Sequence, residues 1–270
     1  MATPALLLLL LPLASSHHVL FMHTTGTTSH LIVLRPLVEE LLLRGQAVTA
    51  VFYSSIGVNH ENFTEILLPP QPVSVFNAAG QKKMTEGKTS VNPGLWWWAY
   101  NYMINNTKQM ALDPFKPEKM QELLRTKPRI DAVVTVMQPN AIFAEIFDCP
   151  IIQFSPIGSV LPLIFEGTSN VINLSIQPFP LSPFIEPMTF LQRLFNNMLP
   201  LGVEWFVNWQ TDLVFEHQRE YLVREVGMEV EHPRVTIRRR TAIMIACSHP
   251  VTHGAWQFAP NTIEVGECKL

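Results

Sequence analysis

Two short apolar runs, His18–Met22 and Ala47–Tyr53, bracket a segment in which Leu34, Leu37, Val38 and Leu41 recur at helical spacing. No other feature of the chain constrains its fold as much. A strand, a helix and a second strand within about 35 residues form a βαβ unit, which implies parallel strands and a right-handed crossover. Gly45 stands just past Arg44, where a helix C-cap is expected, and Pro36 suits the opening turns of a helix that starts near His30. The pattern then repeats. Pro117–Leu124 reads as a short helix, Ile130–Met137 as a strand buried on both faces, Ala141–Phe147 as helix and Ile151–Ser155 as strand. A helix-like stretch runs from Trp96 to Met110, a long helix spans Phe190–Gly227, and Thr241–Cys247 is a last buried strand. Prolines 69, 70 and 72 and the stretch Pro178–Pro187 interrupt this order. The fold class is α/β, a doubly wound parallel sheet.

Composition narrows the function. The 270 residues suffice for one large domain or two small ones. With 47% hydrophobic and 15% charged residues, against about 25% charged in an average domain, intrinsic disorder is excluded. Nineteen Lys and Arg against 22 Asp and Glu leave a net charge of −3, so the chain lacks the basic field of a nucleic-acid binder. The run Arg238–Arg240 is too short to supply one. Cys149, Cys247 and Cys268 have neither the pairing of a disulfide framework nor the spacing of a zinc site. They read as buried or unpaired thiols, a single bridge being the alternative.

Residues 1–16 read as a signal peptide. Ala5–Leu13 is a leucine-rich run and Ala14-Ser15-Ser16 are the small residues that precede cleavage. The run carries Pro12 and no preceding Lys or Arg, so a short anchored segment is the other reading. No later stretch reaches the roughly 18 apolar residues that cross a bilayer. Three glycosylation sequons, starting at Asn62, Asn105 and Asn173, agree with a chain in the endoplasmic reticulum lumen or secreted.

Ligands of an open parallel sheet bind beyond the carboxyl ends of its strands, which directs attention to the loop Thr24–Ser29 and the helix start behind it. His30 sits there. An imidazole can take a proton from a hydroxyl near neutral pH, and the alternative is a loop histidine bonded to backbone. Ser29 is a candidate N-cap. Gly26 is the loop's one glycine, so the dinucleotide fingerprint is absent and a nicotinamide cofactor is not expected. No Walker, H-E-x-x-H or G-x-S-x-G motif occurs, and adjacent His17 and His18 do not make a metal site. Thr252–Trp256 reads as a turn, too short for a phosphate loop.

The segment Thr24-Thr25-Gly26-Thr27-Thr28-Ser29-His30, running on through Leu37–Leu41 to Arg44-Gly45-Gln46-Ala47-Val48-Thr49, resembles the start of animal UDP-glycosyltransferases. Gln46 stands where that family usually has histidine. Ser248-His249-Pro250 and Ala259–Gly266 are similar to the segment where the family's N-terminal domain hands over to the C-terminal one, and Pro183–Leu194 more loosely to its middle region. The resemblance covers residues 18 to 266. It implies a Rossmann-like N-terminal domain of a GT-B glycosyltransferase, residues 17–266, with a truncated tail 267–270 and the donor domain absent. It implies His30 as the base that deprotonates the hydroxyl of a small lipophilic acceptor, and a UDP-sugar as co-substrate, with no bound cofactor and no metal. Ser29, Trp97 and Phe184 are the acceptor-binding candidates, with Trp96, Trp98, Phe179 and Trp205 as further aromatics. The family's partner acid is missing, because the matching positions read Val136-Met137-Gln138-Pro139-Asn140. Asp131 lies at the wrong end of the strand and Asp148 follows the next helix; Gln138 or Asn140 can orient an imidazole but not neutralise it. A catalytically incomplete acceptor-binding module, or a partner of a full-length relative, is the alternative, with membrane contact only through a segment missing from this chain.

Overall fold

Val19, Leu20, Phe21 and Met22 leave a strand no polar side to turn towards water, so both of its faces must be covered. The structure, a computed structural model, describes residues 16–24, 28–70, 106–136, 138–156, 167–168, 170, 173–179, 182–248 and 258–266. In it these four residues lie in β1 (His18–Met22), each at most 8% exposed, inside a sheet of seven strands. The others are β2 (Ala47–Phe52), β3 (Phe63–Leu67), β4 (Ala132–Thr135), β5 (Ile151–Ser155), β6 (Thr241–Ala246) and β7 (Thr262–Glu264). Their order is β3-β2-β1-β4-β5-β6-β7, and every neighbouring pair is parallel.

Alternation along β1 sends its side chains into two cores. Val19 and Phe21 join Val48, Ala50, Phe52 and Val134 beneath α1 (Thr28–Leu43), which contributes Leu31, Leu34, Val38 and Leu42. Leu20 and Met22 face the opposite layer. There α2 (Glu118–Thr126) supplies Met120 and Leu124, and α3 (Ile142–Ile146) supplies Ile142, Phe143 and Ile146. Phe215 of α4 (Phe190–Tyr221), Leu222 just after it and Ile237 of α5 (Pro233–Arg240) complete that core. Helices on both faces of a parallel sheet in this order are the Rossmann-like, doubly wound arrangement.

Several details depart from the pattern in the sequence. The helix α1 begins at Thr28, so Ser29 lies in its first turn instead of capping it. Pro36 is then an interior residue, exposed, and removes the bond its N–H would have given Ile32. Two edge strands add to the expected set. β3 buries only Ile66, and β7 is three residues long. β6 is accordingly not the last strand, and it is half-covered, with Met244 and Ala246 buried. Cys247 is disulfide-bonded, its partner lying outside the described residues, so the alternative of a single bridge holds in place of the reading as buried or unpaired thiols. Cys149 is free and buried, and burial pushes its thiol up to about 12.

The long helix α4 opens with a capping box. Thr189 accepts the Gln192 N–H on its hydroxyl, and the Gln192 side chain accepts the Thr189 N–H at 2.8 Å. One turn on, buried Asn196 holds the loop 173–179 against the helix. Its Oδ1 accepts the Phe179 N–H, and its Nδ2 donates to the carbonyls of Leu174 at 2.7 Å and Gln177 at 2.8 Å. No described helix is long and apolar enough to cross a membrane.

Candidate functional site

From β1 the chain moves outward to β2 and β3, then returns across the sheet to β4. That reversal opens a crevice beyond the carboxyl ends of β1 and β4, where ligands of such sheets bind. Three chain segments meet there. His23 and Thr24 continue β1, the turn Gln138–Ala141 follows β4, and His30 stands in the first turn of α1.

Asn140, 1% exposed, ties the first two segments together. Its Oδ1 accepts the Thr24 hydroxyl at 3.1 Å and its Nδ2 donates to the Met22 carbonyl at 3.3 Å. Both ends of the amide are thus engaged, on Thr24 and Met22 and not on the His30 ring. Gln138, the other residue able to orient an imidazole, has its backbone within the same turn; its side chain lies outside the described residues.

His23 is fully buried, and its N–H donates to the Val51 carbonyl at 3.2 Å. Its ring is near that of His30, 5.3 Å away centre to centre, and edge-on to that of Phe52, at 6.4 Å. His30 itself is half-buried, and its Nδ1 is buried with no hydrogen-bond partner. Burial holds its imidazole below the ordinary value of 6.5, which keeps the ring neutral at physiological pH. A neutral imidazole at the mouth of a ligand crevice is able to accept a proton.

The nearby acids serve other ends. At the amino end of β4, Asp131 accepts the His18 N–H at 2.8 Å and pairs with Arg129 at 2.8 Å. The His18 N–H is the main reason its carboxyl lies below the usual value. Asp148 pairs with Arg240 at 2.8 Å beyond α3. Neither reaches His30, in agreement with their places in the sequence.

The same shifts set a pH dependence of stability. His18, whose Nε2 lies 2.8 Å from the Thr49 hydroxyl, is lowered by burial as His30 is, against the opposing pull of Asp131. The unfolded chain therefore binds more protons than the folded one just below pH 6.5. Both contributions are complete above 6.5 and lost as pH falls through the lower folded values; that of Asp131 is lost only in stronger acid, below its ordinary 3.8. Urea midpoints should fall between pH 7.5 and about 5, and less steeply in His18→Gln; a flat profile would contradict the assignment.

Of the acceptor-binding candidates, Ser29 precedes His30 in α1, but its side chain lies outside the described residues, as does Trp97 altogether. Phe184 is half-buried in the segment before α4, where its N–H reaches the Ser182 hydroxyl at 3.4 Å. No described contact brings it to His30. Phe179 is core, 1% exposed, whereas Trp205 is exposed on α4 and stacked on Trp209. His23 is the residue that sequence reasoning does not single out. Its one signal is its place, directly after the last residue of β1.

No family model matches the chain. Two curated proteins are similar to it in sequence. UDP-glycosyltransferase UGT4 of Dactylopius coccus is 25% identical over 248 residues, 89% of this chain and 46% of its own length. UDP-glucuronosyltransferase 2A3 of Pongo abelii is 22% identical over 209 residues, 74% of this chain and 39% of its own. The chain thus spans less than half the length of each. Among solved structures, Arabidopsis thaliana UGT89C1 complexed with UDP-L-rhamnose aligns with 95% of this chain and 50% of its own, at a TM-score of 0.43 and 13% identity. Over most of its length, this chain is similar to the UDP-glycosyltransferases, insect and mammalian alike.

Proposed function

We propose that the chain supplies the acceptor side of a UDP-sugar-dependent glycosyl transfer, with His30 as general base. One observation carries the reading: a neutral, partly accessible imidazole at the switch-point crevice, in a chain similar to UDP-glycosyltransferases. The acceptor is a small lipophilic molecule bearing a hydroxyl. His30 takes the hydroxyl proton as the oxygen bonds to the anomeric carbon of a hexosyl or glucuronosyl group. The bond from that carbon to UDP breaks, UDP leaves, and the configuration inverts. Ser29, Trp97 and Phe184 are the proposed acceptor contacts. The leader-like N-terminus and the sequons support a glycoprotein of the endoplasmic reticulum lumen or secretory route.

A second reading is favoured by Asp131 and Asp148, which pair with Arg129 and Arg240 and leave His30 without either as a charge partner. It is an acceptor-binding module that does not transfer sugar by itself or that acts beside a full-length relative. One experiment separates the two. The purified chain is incubated with a panel of UDP-sugars and phenolic or steroidal acceptors, with conjugates read by mass spectrometry and acceptor binding by calorimetry. Conjugate supports the first reading and bound acceptor without conjugate the second. Neither conjugate nor binding would overturn both.

A further inference from the structure

We propose that Asn62 carries an N-linked glycan and that this glycan shields the open edge of the sheet at β3. The inference rests on the secretory route proposed above and is independent of the role of His30. Asn62-Phe63-Thr64 is one of three sequons in the chain, and the structure separates them. Asn105 lies outside the described residues, and Asn173 stands in the loop that Asn196 pins to α4. Asn62 ends the turn that leads directly into β3. Its described hydrogen bonds are made by its backbone. The N–H donates to His60 Nδ1 at 3.1 Å, and the carbonyl accepts the Val48 N–H at 2.9 Å. Asn62 and Thr64 are both exposed, so the amide and the hydroxyl that a sequon requires are presented at the surface.

The place of this sequon gives the glycan its use. Among the described residues, β3 ends the sheet and pairs with β2 alone. In a ladder, alternate residues turn their backbone groups to the same neighbour. Asn62 gives its carbonyl to Val48 and Leu68 gives its N–H to Phe52, so Glu65 and Leu67 turn their groups outward. An edge of this kind invites a strand from another molecule. Lys119 of α2 meets the Glu65 carbonyl at 3.4 Å, while Leu67 is 51% exposed. A bulky, hydrophilic chain rooted one residue before the strand keeps a second sheet from this edge. It also spares the crevice. All the strands are parallel, so Asn62 is at the amino end of the sheet and the crevice at the carboxyl end. The five residues of β3, at about 3.3 Å each, hold the two ends roughly 16 Å apart.

In the covalent step, Asn62 Nδ2 bonds to the anomeric carbon of an oligosaccharide borne on a polyisoprenoid diphosphate. The bond from that carbon to the diphosphate oxygen breaks, its electron pair leaves with the lipid diphosphate, and Nδ2 gives up one of its two protons. The lumenal oligosaccharyl transferase supplies the donor and takes the proton.

The test is peptide mapping of the whole chain, made with its own N-terminus in cultured animal cells. Glycans are released by peptide N-glycosidase in H₂¹⁸O, which leaves ¹⁸O-labelled aspartate wherever one was attached. The label is expected at Asn62 in the parent, lost in Thr64→Ala and kept in Thr64→Ser. Protease protection of the chain in microsomes from the same cells is read alongside. A protected chain without the label at Asn62 would overturn the site and leave the secretory route standing, whereas an unprotected chain would overturn both. Neither result needs a variant to fold. Light scattering reads the shield, with circular dichroism as the check that both variants are folded. Thr64→Ala, which lacks this glycan alone, should lose its monomer to larger species, and Thr64→Ser should keep it. Equal monomer in the two would overturn the shielding role.

Discussion

Replacing His30 with glutamine is expected to slow conjugation roughly 10²- to 10⁴-fold while acceptor affinity changes little. Glutamine fills much the same space and can hydrogen-bond a hydroxyl, but it cannot take a proton. The loss should therefore fall on kcat and spare binding. The pH profile adds a second signature. Because burial holds His30 below 6.5, the parent should keep its full rate at neutral pH and lose it only on acidification, as the ring becomes protonated. The variant's residual rate should lack that acid limb. A variant that transfers as fast as the parent, with the same acid limb, would remove His30 from the reaction.

Asn196→Leu should lower stability by about 3 kcal/mol, since it strands two buried backbone groups and a partly buried one at about 1 to 3 kcal/mol each and loop 173–179 rehydrates some of them. The change conserves volume but leaves the Phe179 N–H and the carbonyls of Leu174 and Gln177 without their partner. For a chain of this size the loss corresponds to a fall in Tm on the order of 10 °C. Limited proteolysis should report cleavage within 173–179 well before the sheet opens. A Tm within about 2 °C of the parent would mean that water replaces the amide at little cost.

Much of the sheet is legible in the sequence because its central strands are buried on both faces. An uninterrupted Val-Leu-Phe-Met has one structural solution, and β1 and β5 run between the residues the sequence suggests. The two strands that escape notice lie at the edges. Phe63–Leu67 mixes Thr and Glu with apolar residues because its neighbour covers only one side, and Thr262–Glu264 is too short to show a period. The site divides along similar lines. His30 is legible because the helix start after β1 is a ligand-binding place in any parallel sheet, and the absence of an acid after β4 can be read directly. The role of Asn140 cannot, since it depends on contacts across the switch point; Thr24 and Asn140 are 116 positions apart. Cys247 shows the same limit, as spacing alone gives no hint of its bridge.

The place of β1 between β2 and β4 also governs how the chain is made. β2 follows one helix later, but the other edge of β1 waits for residues such as Asp131, 113 positions further on. At about 5 to 20 residues per second, translation leaves that edge open for on the order of ten seconds. During that interval the first βαβ unit has a buried-type strand with one unpaired side and an apolar face that α2 and α3 have yet to cover. The order of the strands thus sets how long that edge stays unpaired, and slowing synthesis between β2 and β4 lengthens its exposure in direct proportion.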